Sequence, residues 1–277
     1  MKRFLKNIGL LTMFVFLFGV SMLFVGITVA VAMPELPVDA NFMLTYFCSM
    51  IAVYGITLLI ERVAFKRVAP VYNSGHGFDP LAILLGVVLL FALSVVLLPL
   101  EQVLTPDSRS FPDGPLTLLT VVVLAPIFEE MIFRARLYNI LSRNSSPLMS
   151  ASLSALAFGV VHLQPIVVVE ALIVGVVFSY FYLAKRSIIT PIILHMCNNA
   201  FAYALVVLSY RGASLRELIG SNVHMHLVVY AICAVIVIVG TVVIIRFFVR
   251  EKRRTRGIEH QDMETIAEHY NSEQLIE

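Results

Sequence analysis

Tryptophan is absent from this 277-residue chain and charge is scarce, with Asp, Glu, Lys and Arg making up only 14% of it. Soluble domains carry about 25% charged and about 45–50% apolar residues. Here 59% of residues are hydrophobic and the mean hydropathy is +0.91. That balance argues against a water-soluble globular fold and against a disordered chain. Cys48, Cys197 and Cys233 lie in separate apolar stretches without metal-type spacing, so neither a disulfide scaffold nor a zinc knuckle is expected. A net charge of +2 and the lack of any basic–aromatic pattern argue against a nucleic-acid partner. No internal repeat, Gly-rich nucleotide loop or low-complexity tract is found, and the inverted repeats of secondary transporters are not evident. Without tryptophan, any aromatic belt rests on Tyr and Phe.

What the chain has is long apolar runs. A bilayer core of about 30 Å takes about 20 helical residues, and runs at or near that length fall at 8–33, 43–60, 81–100, 116–140, 147–163, 166–184, 188–209 and 225–249. The expected fold is all-α: a polytopic membrane protein of about eight transmembrane helices. With the N-terminus inside, 17 of the 20 basic residues fall on the cytoplasmic side. Arg109, Arg211 and Arg216 stay on the other side, which also takes the early acids Glu35, Asp39, Glu101, Asp107 and Asp113. The positive-inside rule therefore puts both termini in the cytoplasm and makes membrane lipid a partner. The first run, about 22 apolar residues, exceeds the 7–15 of a cleaved signal and is read as an uncleaved span. The basic cluster Arg250 to Arg256 is expected against anionic headgroups.

Ionisable groups inside a membrane cost roughly 2.5–3.5 kcal/mol each, so their placement needs a reason. Those at membrane depth are Glu129, Glu130, Arg134, His162, Glu170 and His195, with Asn198 and Asn199 beside them. All belong to spans four to seven. Glu130 and Arg134 are i,i+4 neighbours with the acid on the N-terminal side, the favourable order for an ion pair. Glu129 lies about 100° further round the helix and is left available as a proton acceptor. Phe158 and His162 share a face of span five, and His195 and Asn199 share one of span seven. Asn198 faces elsewhere, and Glu170 is a candidate partner for His162.

A carboxylate, two imidazoles and a carboxamide on three helices can surround one small polar site. The set suits amide hydrolysis, with Glu129 and His162 deprotonating water and His195 and Asn199 donating to the developing oxyanion. Glu and His could equally hold a divalent metal such as zinc that activates the water. The soluble zinc-protease signature H-E-x-x-H is absent. No Asp lies at membrane depth, which removes a Ser-His-Asp triad and an aspartyl protease. Along the helices from the cytoplasmic ends, His162 lies about 22 Å deep, Glu129 about 16 Å and His195 about 10 Å.

These strings resemble the CPBP membrane proteases, also called the CAAX protease and bacteriocin-processing or Abi family. Its pattern is E-E-x-x-x-R, F-x-x-x-H and H-x-x-x-N/D on separate transmembrane helices, matched here by Glu129-Glu130 with Arg134, Phe158 with His162, and His195 with Asn199. The resemblance covers about residues 120–205. It implies an intramembrane endopeptidase acting on a membrane-associated protein or peptide in the cell (inner) membrane. Glu129 would be the water-activating glutamate, helped by His162. His195 and Asn199 would form the oxyanion site, and Glu130, Arg134 and Phe158 would support it. A metal-free mechanism is favoured because only three good ligands are present and Glu130 is taken by Arg134; zinc stays open. The chain then divides into a three-span region (1–115), a four-span CPBP-type catalytic core (116–209), a loop and last span (210–249) and a cytoplasmic tail (250–277). The rival readings are a non-enzymatic scaffold or bacteriocin-immunity protein, and a proton-coupled transporter. Spans one, two and eight are nearly free of charge in their interiors, which argues against a transporter's path.

Overall fold

The computed structural model describes residues 2–66, 68–72, 78–104, 112, 114–210 and 222–274. These form eight helices: α1 (Lys2–Ala32), α2 (Val38–Phe65), α3 (Pro80–Leu104), α4 (Pro115–Ser142), α5 (Pro147–Val160), α6 (Pro165–Lys185), α7 (Ile189–Tyr210) and α8 (Val223–Gln274). The chain is a polytopic all-α membrane protein. Among the described residues, six helices, α1 to α4, α6 and α8, are long and apolar enough to cross a membrane. At 14 residues, α5 is about 21 Å long by helical rise. Its turn into α6 satisfies its own backbone, through His162 N–H to Gly159 O and Gln164 N–H to His162 O, as a low-dielectric surrounding demands. The loop residues Asp107, Arg109, Asp113, Arg211 and Arg216 lie outside the described residues.

Proline starts α3, α4, α5 and α6, at the helix position where a missing N–H costs nothing. Asp79 caps α3 by accepting from Ala82 N–H at 3.0 Å, and Ser146 caps α5. Gly114, at φ +143°, lies against Asp39, where any Cβ would collide. That contact ties the α1–α2 turn to the start of α4.

The opposite ends of the helices are stitched by polar contacts. Asn7 donates to Ser145 Oγ, Arg143 to Glu61 at 3.2 Å, Lys185 to Asp79, and Arg186 to Glu251 at 3.0 Å. Starts of α1 and α3 thus meet ends of α2, α4 and α6, as an up-and-down bundle requires. Two apolar clusters flank α4. One is built from α1, α2, α4 and α5 around Phe14, Phe133 and Phe158. The other gathers Phe178, Tyr182, Leu194 and Phe248 from α6, α7 and α8. Gly159 and Gly175 let α5 and α6 approach closely: a Cβ at Gly159 would stand 2.6 Å from Val168 O. Small residues at such crossings permit backbone contact in membrane bundles.

Candidate functional site

Glu129 and Glu130 lie at the midpoint of α4, about 20 Å from either end by helical rise. The helix leaves α register twice, over Thr120–Leu124 and Glu130–Tyr138, where it is π-helical. The first departure has a local cause. Ala125 N–H bonds to Thr120 O, and Pro126 has no N–H to give. Val121 O is thereby left without a backbone donor, and Asn199 Nδ2 supplies one at 2.9 Å. The carboxamide of α7 completes the ladder of α4. Short π segments recur at functional sites.

Below that junction the charged side chains converge. Glu130 and Arg134 are both fully buried, and Arg134 Nη1 donates to Glu130 Oε1 at 2.9 Å. Arg134 Nη2 reaches Gly175 O at 3.3 Å, and the guanidinium lies 4.5 Å from the centre of the Phe158 ring and 5.3 Å from that of Phe178. The same Glu130 Oε1 lies 2.8 Å from His195 Nδ1. An ion-paired carboxylate only accepts, so Nδ1 carries the proton and Nε2 is the ring nitrogen turned away from Glu130. His195 Nε2 faces Glu129 Oε2 at 3.5 Å, while Tyr46 donates its hydroxyl to Glu129 Oε1 at 2.8 Å. The imidazole stacks on Phe178 at 4.8 Å and meets the edge of Phe158 at 5.5 Å. The site thus sits where the two apolar clusters meet, in a low dielectric that strengthens each electrostatic contact.

His162 lies in the turn after α5, half-buried, with Nδ1 2.7 Å from Phe158 O. A carbonyl only accepts, so this imidazole too presents Nε2 as its free acceptor. Phe158 touches both imidazoles, at 5.1 Å for His162 and 5.5 Å for His195. Depths reckoned along the helices separate the two histidines; in the fold they share one phenylalanine. The direct imidazole partner of Glu129 is His195, with His162 beyond Phe158. Asn199 is half-buried one turn along α7, bonded to α4. Asn198 lines an apolar groove with Phe91, Ser94 and Phe201, on another face of α7. Glu170 is half-buried in the second turn of α6.

Residues 111–201 match the family described as Type II CAAX prenyl endopeptidase Rce1-like. That stretch is similar to the family. It contains every charged residue of the cluster just described. An Escherichia coli protein called "Uncharacterized 24.3 kDa protein" is 32% identical over 106 residues, 36% of this chain and 49% of its own length. A Bacillus subtilis protein named "Putative membrane peptidase YdiL" is 29% identical over 89 residues, 31% of this chain and 36% of its own length. The chain therefore spans half or less of these curated relatives. No solved structure matches it.

Two long-range contacts escaped the sequence reading. Tyr46 looks in sequence like one more aromatic in an apolar span. Glu61, fully buried at the end of α2, accepts from Arg136 at 3.0 Å and Arg143 at 3.2 Å. Among the described residues no group of three or more His, Cys, Asp or Glu side chains is gathered as a metal site would need. Glu130 Oε1 and His195 Nδ1 are spent on each other and on Arg134.

Proposed function

We propose that the protein is an intramembrane endopeptidase that hydrolyses a peptide bond of a membrane-associated protein or peptide. Water loses a proton to Glu129 as its oxygen attacks the carbonyl carbon, with His162 Nε2 as the second acceptor at the site. The tetrahedral oxyanion accepts hydrogen bonds from His195, in the form that carries a proton on Nε2, and from the second N–H of Asn199. Donors fixed in advance are what such stabilisation requires. The proton then passes from Glu129 to the leaving nitrogen, the C–N bond breaks, and a carboxylic acid and an amine are released. Glu130, held by Arg134, keeps His195 in the Nδ1–H form, and Phe158 fixes the spacing of the two imidazoles. The reading is glutamate-type, places both termini in the cytoplasm of a cell (inner) membrane, and takes 116–209 as the catalytic core.

One observation carries it: a buried glutamate–arginine pair orients an imidazole whose other nitrogen faces a second glutamate, within the Rce1-like stretch. The test is cleavage of membrane-associated peptides by the purified protein in detergent. Glu129→Ala and His195→Ala are expected to lose at least about 10²-fold in kcat, the usual contribution of one acid–base group, and His162→Ala a similar factor. Chelators are expected to leave the wild-type rate unchanged. Equal cleavage by wild type and all three variants overturns the peptidase reading; stoichiometric bound zinc with chelator-sensitive turnover overturns the glutamate mechanism.

A further inference from the structure

The Rce1-like stretch does not supply every side chain that touches Glu129. Tyr46 belongs to α2, 83 positions away, and its hydroxyl donates to Glu129 Oε1 at 2.8 Å. Its helix is seated against the same part of α4 by Phe47, which meets Phe128 edge-on at 5.5 Å. A glutamate side chain on a helix interior can turn its carboxylate through several rotamers. It can receive a proton in a fixed direction only if one of them is selected. With Oε1 held by the phenol, Oε2 is the oxygen that faces His195 Nε2 at 3.5 Å.

Resting on the endopeptidase reading, we propose that Tyr46 is a positioning residue for peptide hydrolysis, its phenol holding Glu129 so that Oε2 faces His195 and the attacking water. The N-terminal helices then complete the site, and the Rce1-like stretch is insufficient without them. A tie between α2 and α4 that served only packing would need no hydroxyl at this position. The Phe42 ring, 6.4 Å from that of Tyr46 on the same helix, offers a packing control.

The experiment compares full-length wild type, Tyr46→Phe and Phe42→Leu in detergent. It reads kcat and KM on a cleaved peptide, the unfolding midpoint, and labelling of Glu129 by dicyclohexylcarbodiimide, which partitions into apolar sites. Tyr46→Phe is expected to lower kcat about tenfold, the scale of one hydrogen bond to a charged group, with KM and midpoint unchanged. Phe42→Leu is expected to leave kcat as in wild type. A wild-type kcat in Tyr46→Phe, or a loss that follows the midpoint, overturns the proposal. If the wild type cleaves no peptide, the peptidase reading fails separately and labelling decides. Faster reaction at Glu129 in Tyr46→Phe, with exposed Glu35 unchanged, supports the contact; equal rates overturn it.

Discussion

Two fully buried glutamates meet arginines of α4, and they are built to opposite ends. Glu61 is closed: Oε2 accepts from Arg136 at 3.0 Å, and Oε1 from Arg143 at 3.2 Å and Ala69 N–H at 3.3 Å. Both oxygens are occupied, by groups that hold their protons at any physiological pH. Glu130 is open: Oε1 is shared by Arg134 and His195, and beyond that imidazole stands Glu129. Burial and ion pairing are common to both, so neither marks a reactive site. What differs is the next group along. A carboxylate surrounded by guanidinium and backbone ends a chain of contacts, whereas one bonded to an imidazole passes a proton position on to its neighbour.

The largest expected effect tests that contrast directly. Glu130→Gln and Glu61→Gln each remove a buried negative charge and leave arginine uncompensated, a loss on the order of 3–5 kcal/mol. Both variants are expected to unfold earlier in detergent. Glu130→Gln alone is expected to reduce turnover per folded molecule, by about 10²-fold, because His195 loses the acceptor that fixes its tautomer. With Glu61→Gln, turnover per folded molecule is expected to match wild type. A comparable turnover loss in Glu61→Gln would erase the distinction between the clusters.

How much of this was readable in advance divides along similar lines. The helices were legible because a run of apolar residues matched to bilayer thickness has one low-energy solution, and prolines at 80, 115, 147 and 165 mark helix starts. Glu130 with Arg134 was legible because four positions make one helical turn. Pairings across the chain were not. Tyr46 with Glu129 and Glu61 with Arg136 are separated by 83 and 75 positions, and no local periodicity encodes them. The contact of Glu129 with His195 was not legible for the same reason. Helical rise ranks residues by depth, but α5 is short and its turn brings Phe158 against His195. The π register was hidden too, although Pro126 beside Glu129 carried its signal.

Asn199 sharpens the comparison by joining structure to chemistry in one side chain. Asn199→Leu strips half-buried Val121 O of its donor, a cost of about 1 kcal/mol, the low end for an orphaned acceptor, and is also expected to slow turnover. The two effects separate in Pro126→Ala, where the new N–H can reach Val121 O in the π register. There the stability cost of Asn199→Leu is expected to shrink while the turnover loss persists. Unfolding midpoints and kcat in the four-variant cycle read this out. If both losses vanish together, Asn199 serves α4 alone.

The smallest effect comes from the exposed limit of the series. Asp79 lies outside the spans, bonded to Lys185 and capping α3. The Lys185 hydrogen bond, then the Ala82 N–H, hold its carboxyl below the usual carboxylate range. A lowered folded-state value means the stabilisation is present above the unfolded value of about 3.9. It is lost as pH falls through the lower folded value. Asp79→Asn is therefore expected to flatten the acid limb of the unfolding midpoint and leave neutral pH almost unchanged, since exposed pairs contribute little. A large midpoint loss in Asp79→Asn at neutral pH would mean that the exposed pair and the buried clamp stabilise the bundle alike, and that burial is not what separates them.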